Sequence, residues 1–131
     1  MKILQPAGWP RPSGYANGVA ASGVVVFVAG QIGWNAQRQF ETDDLVAQVR
    51  QALANVAAVL AEAGATPQHI TRMTWYLVDK REYLARSAEI GTVFRELVGG
   101  YQAAMTAVQV SALIEDRAKV EIEVTAVIDH G

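Results

Sequence analysis

Lys119-Val120-Glu121-Ile122-Glu123-Val124-Thr125-Ala126-Val127 alternates polar and apolar residues almost without fault. A β-strand sends successive side chains to opposite faces, so Val120, Ile122, Val124 and Ala126 share one face and Lys119, Glu121, Glu123 and Thr125 the other. Working outward, the run from Ala104 to Ser111 alternates in the same way, with Thr106, Val108 and Val110 on one side and Met105, Ala107 and Gln109 on the other. Two strands joined by a short charged turn are expected over 104–127. If they pair with their apolar faces together, Met105 and Gln109 share the sheet face of Glu121. Chemistry on that face would centre on Glu121, unless its carboxylate belongs to a structural ion-pair cluster with Lys119 and Arg72.

Upstream, Ile70 to Val78 reads as another strand, with Met73, Trp75 and Leu77 on one face and Arg72, Thr74 and Tyr76 on the other. Before it, Leu45, Val49, Ala52, Leu53, Val56, Val59, Leu60 and Ala63 recur at spacings of three and four and form the apolar stripe of a helix. Thr42, Asp43 and Asp44 supply its N-cap, and Gly64 ends it. A second helix opens at a capping-box-like Asp79 to Glu82, is carried by Tyr83, Leu84, Ile90, Phe94 and Leu97, and stops at Gly99 and Gly100. Tyr15 to Val19 and Val24 to Ala29 have hairpin spacing, and the second is apolar on both faces, as for a strand covered on both sides. Residues 1–14 form an irregular lead-in rich in proline, which Trp9 is expected to anchor by packing.

The expected order is β-β-α-β-α-β-β, an α+β domain spanning 1–131 with one mixed sheet and two helices on one face, since parallel crossovers are right-handed. Arg72, Tyr76, Met105, Gln109, Glu121 and Glu123 would then lie on a bare face that a symmetric partner covers.

Composition bounds the function. In 131 residues, a net charge of −2 with 18% charged residues leaves no basic surface for phosphates, so no nucleic acid partner is expected. The absence of cysteine rules out a thiol nucleophile or a zinc–thiolate site. His69 and His130 have no ligand-like neighbours in sequence, and neither metal nor cofactor is expected. No segment reaches the ~18 consecutive apolar residues of a membrane span, and Met1 to Pro6 is no signal peptide. Neither membrane nor export is expected, which makes the cytoplasm the expected location.

Ser13-Gly14-Tyr15-Ala16-Asn17-Gly18, then Val26 through Ile32, then Gln48 through Val56, resemble consecutive signature segments of the Rid/YjgF proteins. These are reactive-intermediate deaminases, also described as endoribonuclease L-PSP. The similarity continues through Val108-Gln109-Val110 and Lys119 to Glu123, so it spans about residues 13 to 127 in order. It implies a chorismate-mutase-like subunit, a homotrimer with clefts between subunits, and hydrolysis of enamines and imines without metal or cofactor. Carried over residue by residue, the water-activating glutamate matches Glu121. The cleft-lining positions match Tyr15, Gly30 with Gln31, and Ala107. The family's substrate-clamping arginine reads Met105 here, and the proline of the same segment is Ala103. Losing a charged hydrogen bond of roughly 1.5–3 kcal/mol weakens carboxylate binding about 10- to 100-fold, so a small 2-imino acid is not the expected substrate.

Met105 and Trp34 then shape an apolar cleft, or else pack at a subunit contact, and Arg72 is a candidate replacement clamp. Two functions stay open on this reading. One is an enamine or imine deaminase with Glu121 as its acid/base; the other is a trimer that binds a small metabolite without turnover.

Overall fold

The computed structural model describes residues 1–100 and 102–129. His130, one of the two histidines considered above, lies outside the described residues. Strand β1 (Lys2–Leu4) pairs with β2 (Gly18–Ala20) in a small antiparallel ribbon. The main sheet contains β3 (Gly23–Ile32), β4 (Ile70–Leu77), β5 (Ala104–Gln109) and β6 (Val120–Asp129), in the order β3-β6-β4-β5. Only β4 and β5 pair in parallel. Helices α1 (Leu45–Glu62), α2 (Lys80–Ala85) and α3 (Ser87–Leu97) complete the chain, with a 3-10 turn at Pro67–His69.

The α+β class holds, with a mixed sheet and its helices on one face. Of the stripe predicted for α1, Leu45, Val49, Ala52, Leu53, Val56 and Leu60 are buried while Val59 and Ala63 are exposed, and the N-cap is Asp44, whose carboxylate accepts from Ala47 N at 2.9 Å. This stripe packs with Ile90, Val93 and Phe94 of α3 on Met73, Trp75 and Leu77 of β4 and on Val120, Ile122 and Val124 of β6. The alternation read in both strands is therefore the core boundary. The opposite sheet face carries Val25, Phe27 and Val108, with Phe27 77% exposed.

Several details differ from the reading of the sequence. The first strand does not form a hairpin with β3. Ala16 is drawn to β5, its amide donating to Ala103 O at 2.9 Å, and only Gly18–Ala20 is extended further, paired with β1 inside the supposedly irregular lead-in. Trp9 is 60% exposed and anchors nothing by burial. The second helix is broken at Arg86 (φ −109°, ψ 17°), which leaves Leu84 exposed where it was expected in the apolar stripe.

The most consequential difference concerns β5 and β6, which are not neighbours. The connection between them crosses the end of β4, held by Val110 N to Leu77 O at 2.8 Å and Val78 N to Lys119 O at 3.3 Å. In the resulting parallel register Met105 stands opposite Met73, Ala107 opposite Trp75 and Gln109 opposite Leu77. Cross-strand partners share a face. Met105, Ala107 and Gln109 thus lie on the helix side, and Glu121, which partners Tyr76, lies on the open side.

Candidate functional site

The predicted site residues fall into two groups on opposite faces of the sheet. The first lines a cavity of about 820 Å³ between α3 and the edge strand β5, whose walls include Tyr15, Trp75, Tyr83, Phe94, Met105 and Ala107. The loop carrying Tyr15 reaches it because Ala16 is bonded to the start of β5. From the helix side, Ser87, Gly91 and Arg95 face it at the i, i+4, i+8 spacing that puts side chains on one helix face. Trp75 forms the floor: it is 0% exposed, with Tyr83 and Phe94 ring centroids each 6.3 Å away. Its indole N–H has no hydrogen-bond partner among the described residues. Burial pushes the Tyr83 phenol above its ordinary pKa, so that ring stays neutral across physiological pH. Among the described lining residues there is no carboxylate, and Arg95 is the one charged side chain.

The second group is built on a β-bulge. Val28 partners Val124 and Gln31 partners Ile122, so Ala29 and Gly30 together oppose Glu123 alone. The carboxylate of Glu121 lies against Gly30: a Cβ added there would stand 2.1 Å from Glu121 Oε2. Gln31 braces the bulge by donating from Nε2 to Ala29 O at 3.0 Å. Tyr76 contributes a hydroxyl 3.4 Å from Glu123 Oε1. Gly30, Gln31 and Glu121 are therefore brought together, and Tyr15, Met105 and Ala107 are brought together, but the two sets are separated by the sheet within one chain.

Trp34 joins neither set. Its ring packs against that of Phe40 at a tilt of 47° with centroids 5.9 Å apart and Arg38 above it, and its carbonyl accepts from Asn55 Nδ2 at 2.8 Å, so it closes the loop after β3. Arg72 pairs with Ala104 on the open face, across the sheet from the cavity within one chain. His69 accepts from Thr66 N through Nδ1 at 2.9 Å and serves as a local cap. Lys119 contacts Glu82 at 3.5 Å, and the expected ion-pair cluster with Glu121 and Arg72 is not formed among the described residues. Gln109 caps α2, its Oε1 accepting from Lys80 N at 2.8 Å.

The sequence reading missed Tyr83 and Arg95 as wall residues and treated Trp75 as core alone. The available signal was the spacing of Ser87, Gly91 and Arg95, with a glycine in mid-helix where alanine is more stable by roughly 0.5–1 kcal/mol.

Comparison with known proteins places this arrangement. The sequence signature of the family described as Endoribonuclease L-PSP matches residues 10–128. A RutC family protein of Synechocystis is 34% identical over 130 residues, covering 98% of this chain and 97% of its own. TdcF of Escherichia coli, which bears the name of a reactive intermediate deaminase, is 33% identical over 130 residues and 96% of each chain. A crystal structure of TdcF contains bound serine; it matches with TM-score 0.71 and 30% identity over 98% of this chain and 100% of that one. The crystal structure of YyfB from Yersinia pestis, a Rid protein of unknown function, matches with TM-score 0.85 and 34% identity, over 97% of this chain and 98% of that one. The chain belongs to the Endoribonuclease L-PSP family, the group of the Rid and YjgF proteins. No helix among the described residues is long and apolar enough to cross a membrane.

Proposed function

We propose that the chain hydrolyses an enamine or imine metabolite, without cofactor, in a cleft that two copies of a cytoplasmic homotrimer complete together. The observation that carries this reading is the Glu121 carboxylate seated on Gly30, on a sheet face opposite the cavity walled by Met105 and Ala107. One copy supplies the cavity and a neighbour supplies the carboxylate. The exposed apolar residues further along that face, Phe27 and Val25 among them, favour a second copy as its cover.

In the proposed reaction an enamine is first protonated at carbon to its iminium form. Glu121 takes a proton from water as the water oxygen bonds to the C=N carbon. The same carboxyl then protonates the nitrogen, the C–N bond breaks as the hydroxyl of the adduct returns its proton to the carboxylate, and ammonia leaves with an oxo product. Every proton moves through one carboxylate and water, so the step requires no metal. The substrate differs from a small 2-imino acid, because Met105 offers a thioether where the family's deaminases hold a guanidinium.

That substitution also favours a second reading, a trimer that binds a small metabolite and leaves it unchanged; TdcF with its bound serine gives this some support. Ammonia release from a panel of enamines and imines, with and without a carboxylate, separates the two. The hydrolase reading expects turnover in the wild type and a loss of about 100-fold or more in Glu121→Gln, in the range of general acid/base catalysis. Equal rates in the two proteins would remove Glu121 as the catalyst. Thermal stabilisation by a compound recovered intact, with no ammonia from any member of the panel, would favour the binding reading.

A further inference from the structure

We propose that Asn55 is a positioning residue for Glu121: from α1 it fixes the end of β3, and through that strand end the register and placement of the carboxylate. This rests on reading Glu121 as the acid/base. Beyond the bulge, β3 pairs through Gln31 opposite Ile122 and Ile32 opposite Glu121, and there the strand ends. A bulged strand carries one residue more than its partner, and a one-residue slip would remove the bulge and turn each following side chain to the other face. So short a paired end frays too readily to hold its register by itself.

Asn55 supplies the restraint. Its Nδ2 donates to Ile32 O at 3.1 Å and to Trp34 O at 2.8 Å, so both protons of the amide hold the strand end. Gln51, one turn earlier on α1, donates from Nε2 to Asn55 Oδ1 at 2.8 Å, which fixes the amide with its NH2 group toward the carbonyls. Between the two bonded carbonyls, Gly33 lies directly on the helix: a Cβ there would stand 2.5 Å from Gln48 Cβ and 2.7 Å from Gln48 Cα. That Cα belongs to the helix backbone and cannot swing aside, so a side chain at position 33 would lift the segment off α1. Ile32, held by the first bond, is the residue paired with Glu121. Gly30, against which the Glu121 carboxylate lies, is two residues upstream. The kinetic signature follows from the division of the site. The cavity of one copy binds the substrate and Glu121 of a neighbour moves the protons, so displacing Glu121 should lower kcat and leave KM nearly unchanged.

The test sets two variants, Asn55→Ala and Asn55→Asp, beside Val56→Ala, all as assembled proteins. The Asp variant keeps the shape of the side chain, but its carboxylate has no proton to donate. Val56→Ala removes buried methyl groups from the core face of the same helix and leaves the brace intact. In both Asn55 variants kcat should fall about 10- to 100-fold, the cost of misplacing a catalytic group by about 1 Å, with KM within about 2-fold of wild type. Val56→Ala should lower the urea midpoint while kcat and KM stay within about 2-fold. Hydrogen exchange read by mass spectrometry needs no turnover. In the Asn55 variants it should quicken by about 10-fold or more over residues 30–34 and 121–123, with α3 unchanged. Gly33→Ala disturbs the same segment without altering Asn55 and should reproduce both effects, so the test holds even where an Asn55 variant does not fold. Unchanged kcat in the Asn55 variants while Glu121→Gln is inactive, an equal loss of kcat in Val56→Ala, or a rise in KM alone would overturn the inference and leave the hydrolase reading standing. No ammonia from wild type with any compound of the panel contradicts hydrolysis alone, and unchanged exchange at 121–123 overturns the brace separately.

Discussion

Gly30 has no side chain where the carboxylate of Glu121, the proposed catalyst, lies against the backbone. The added Cβ of Gly30→Ala would meet Glu121 Oε2 at 2.1 Å, and its near contacts are all atoms of that one flexible side chain. The carboxylate can swing away, so stability should change by less than about 1 kcal/mol while turnover falls about 10-fold or more through misplacement of the acid/base. Urea denaturation beside a rate measurement checks both halves. Gln48 is the opposite case, a residue whose importance is structural. It is fully buried; its amide donates to Thr42 O and Arg117 O at 3.1 and 3.0 Å and accepts from Lys119 N at 2.8 Å. Gln48→Leu strands three part-buried backbone groups and should cost about 3 kcal/mol, read as a lower urea midpoint at unchanged slope. Glu121 was legible in the sequence because strand alternation assigns a face from period alone. The face of Met105 was not, because alternation within a strand is silent about which neighbour sets its register.

At the scale of elements, α1 was legible nearly to the residue, since its stripe, cap and terminal glycine agree. The break between α2 and α3 was hidden because a tertiary contact makes it. Arg86 sits at the joint, bonding Asp44 at the start of α1 and holding Glu89 through Nε and Nη2 at 3.1 and 2.8 Å. Hydrogen bonds from Arg86 pull both carboxyls below their ordinary values of 3.8 and 4.5, with Ala47 N contributing at Asp44. Folded-state pKa values below the unfolded ones mean that the stabilisation is present above those ordinary values and is lost as pH falls through the lowered ones. Wild type should therefore exceed Arg86→Ala in stability at neutral pH, with the gap closing below about pH 4 and shrinking in high salt because the groups are exposed. Thermal melts from pH 7 to 3 measure this; a gap independent of pH would place the role of Arg86 elsewhere. The order of β5 and β6 was likewise beyond local pattern, because the connection between them passes over the end of β4 through two backbone bonds that have no sequence signature.

For the whole molecule, the two faces of the sheet have different work. One is closed by helices. The other exposes Phe27 and carries Glu121, and the proposed trimer covers it. Phe27→Lys places a charge in that contact and should shift the protein from trimer to monomer in sedimentation velocity, with its circular dichroism unchanged and turnover lost. A stable trimer in this variant would move the interface to another surface.

The central claim is that a cavity from one copy works with Glu121 from another, and mixing two inactive variants tests it most directly. Glu121→Gln keeps the cavity, and Ala107→Trp fills the cavity while keeping Glu121. Each alone should release no ammonia from the best substrate of the panel. Refolded together in equal amounts, they should recover about one quarter of wild-type activity, the fraction of shared sites that draw both intact halves from different copies. No recovery in demonstrably mixed trimers would contradict the account.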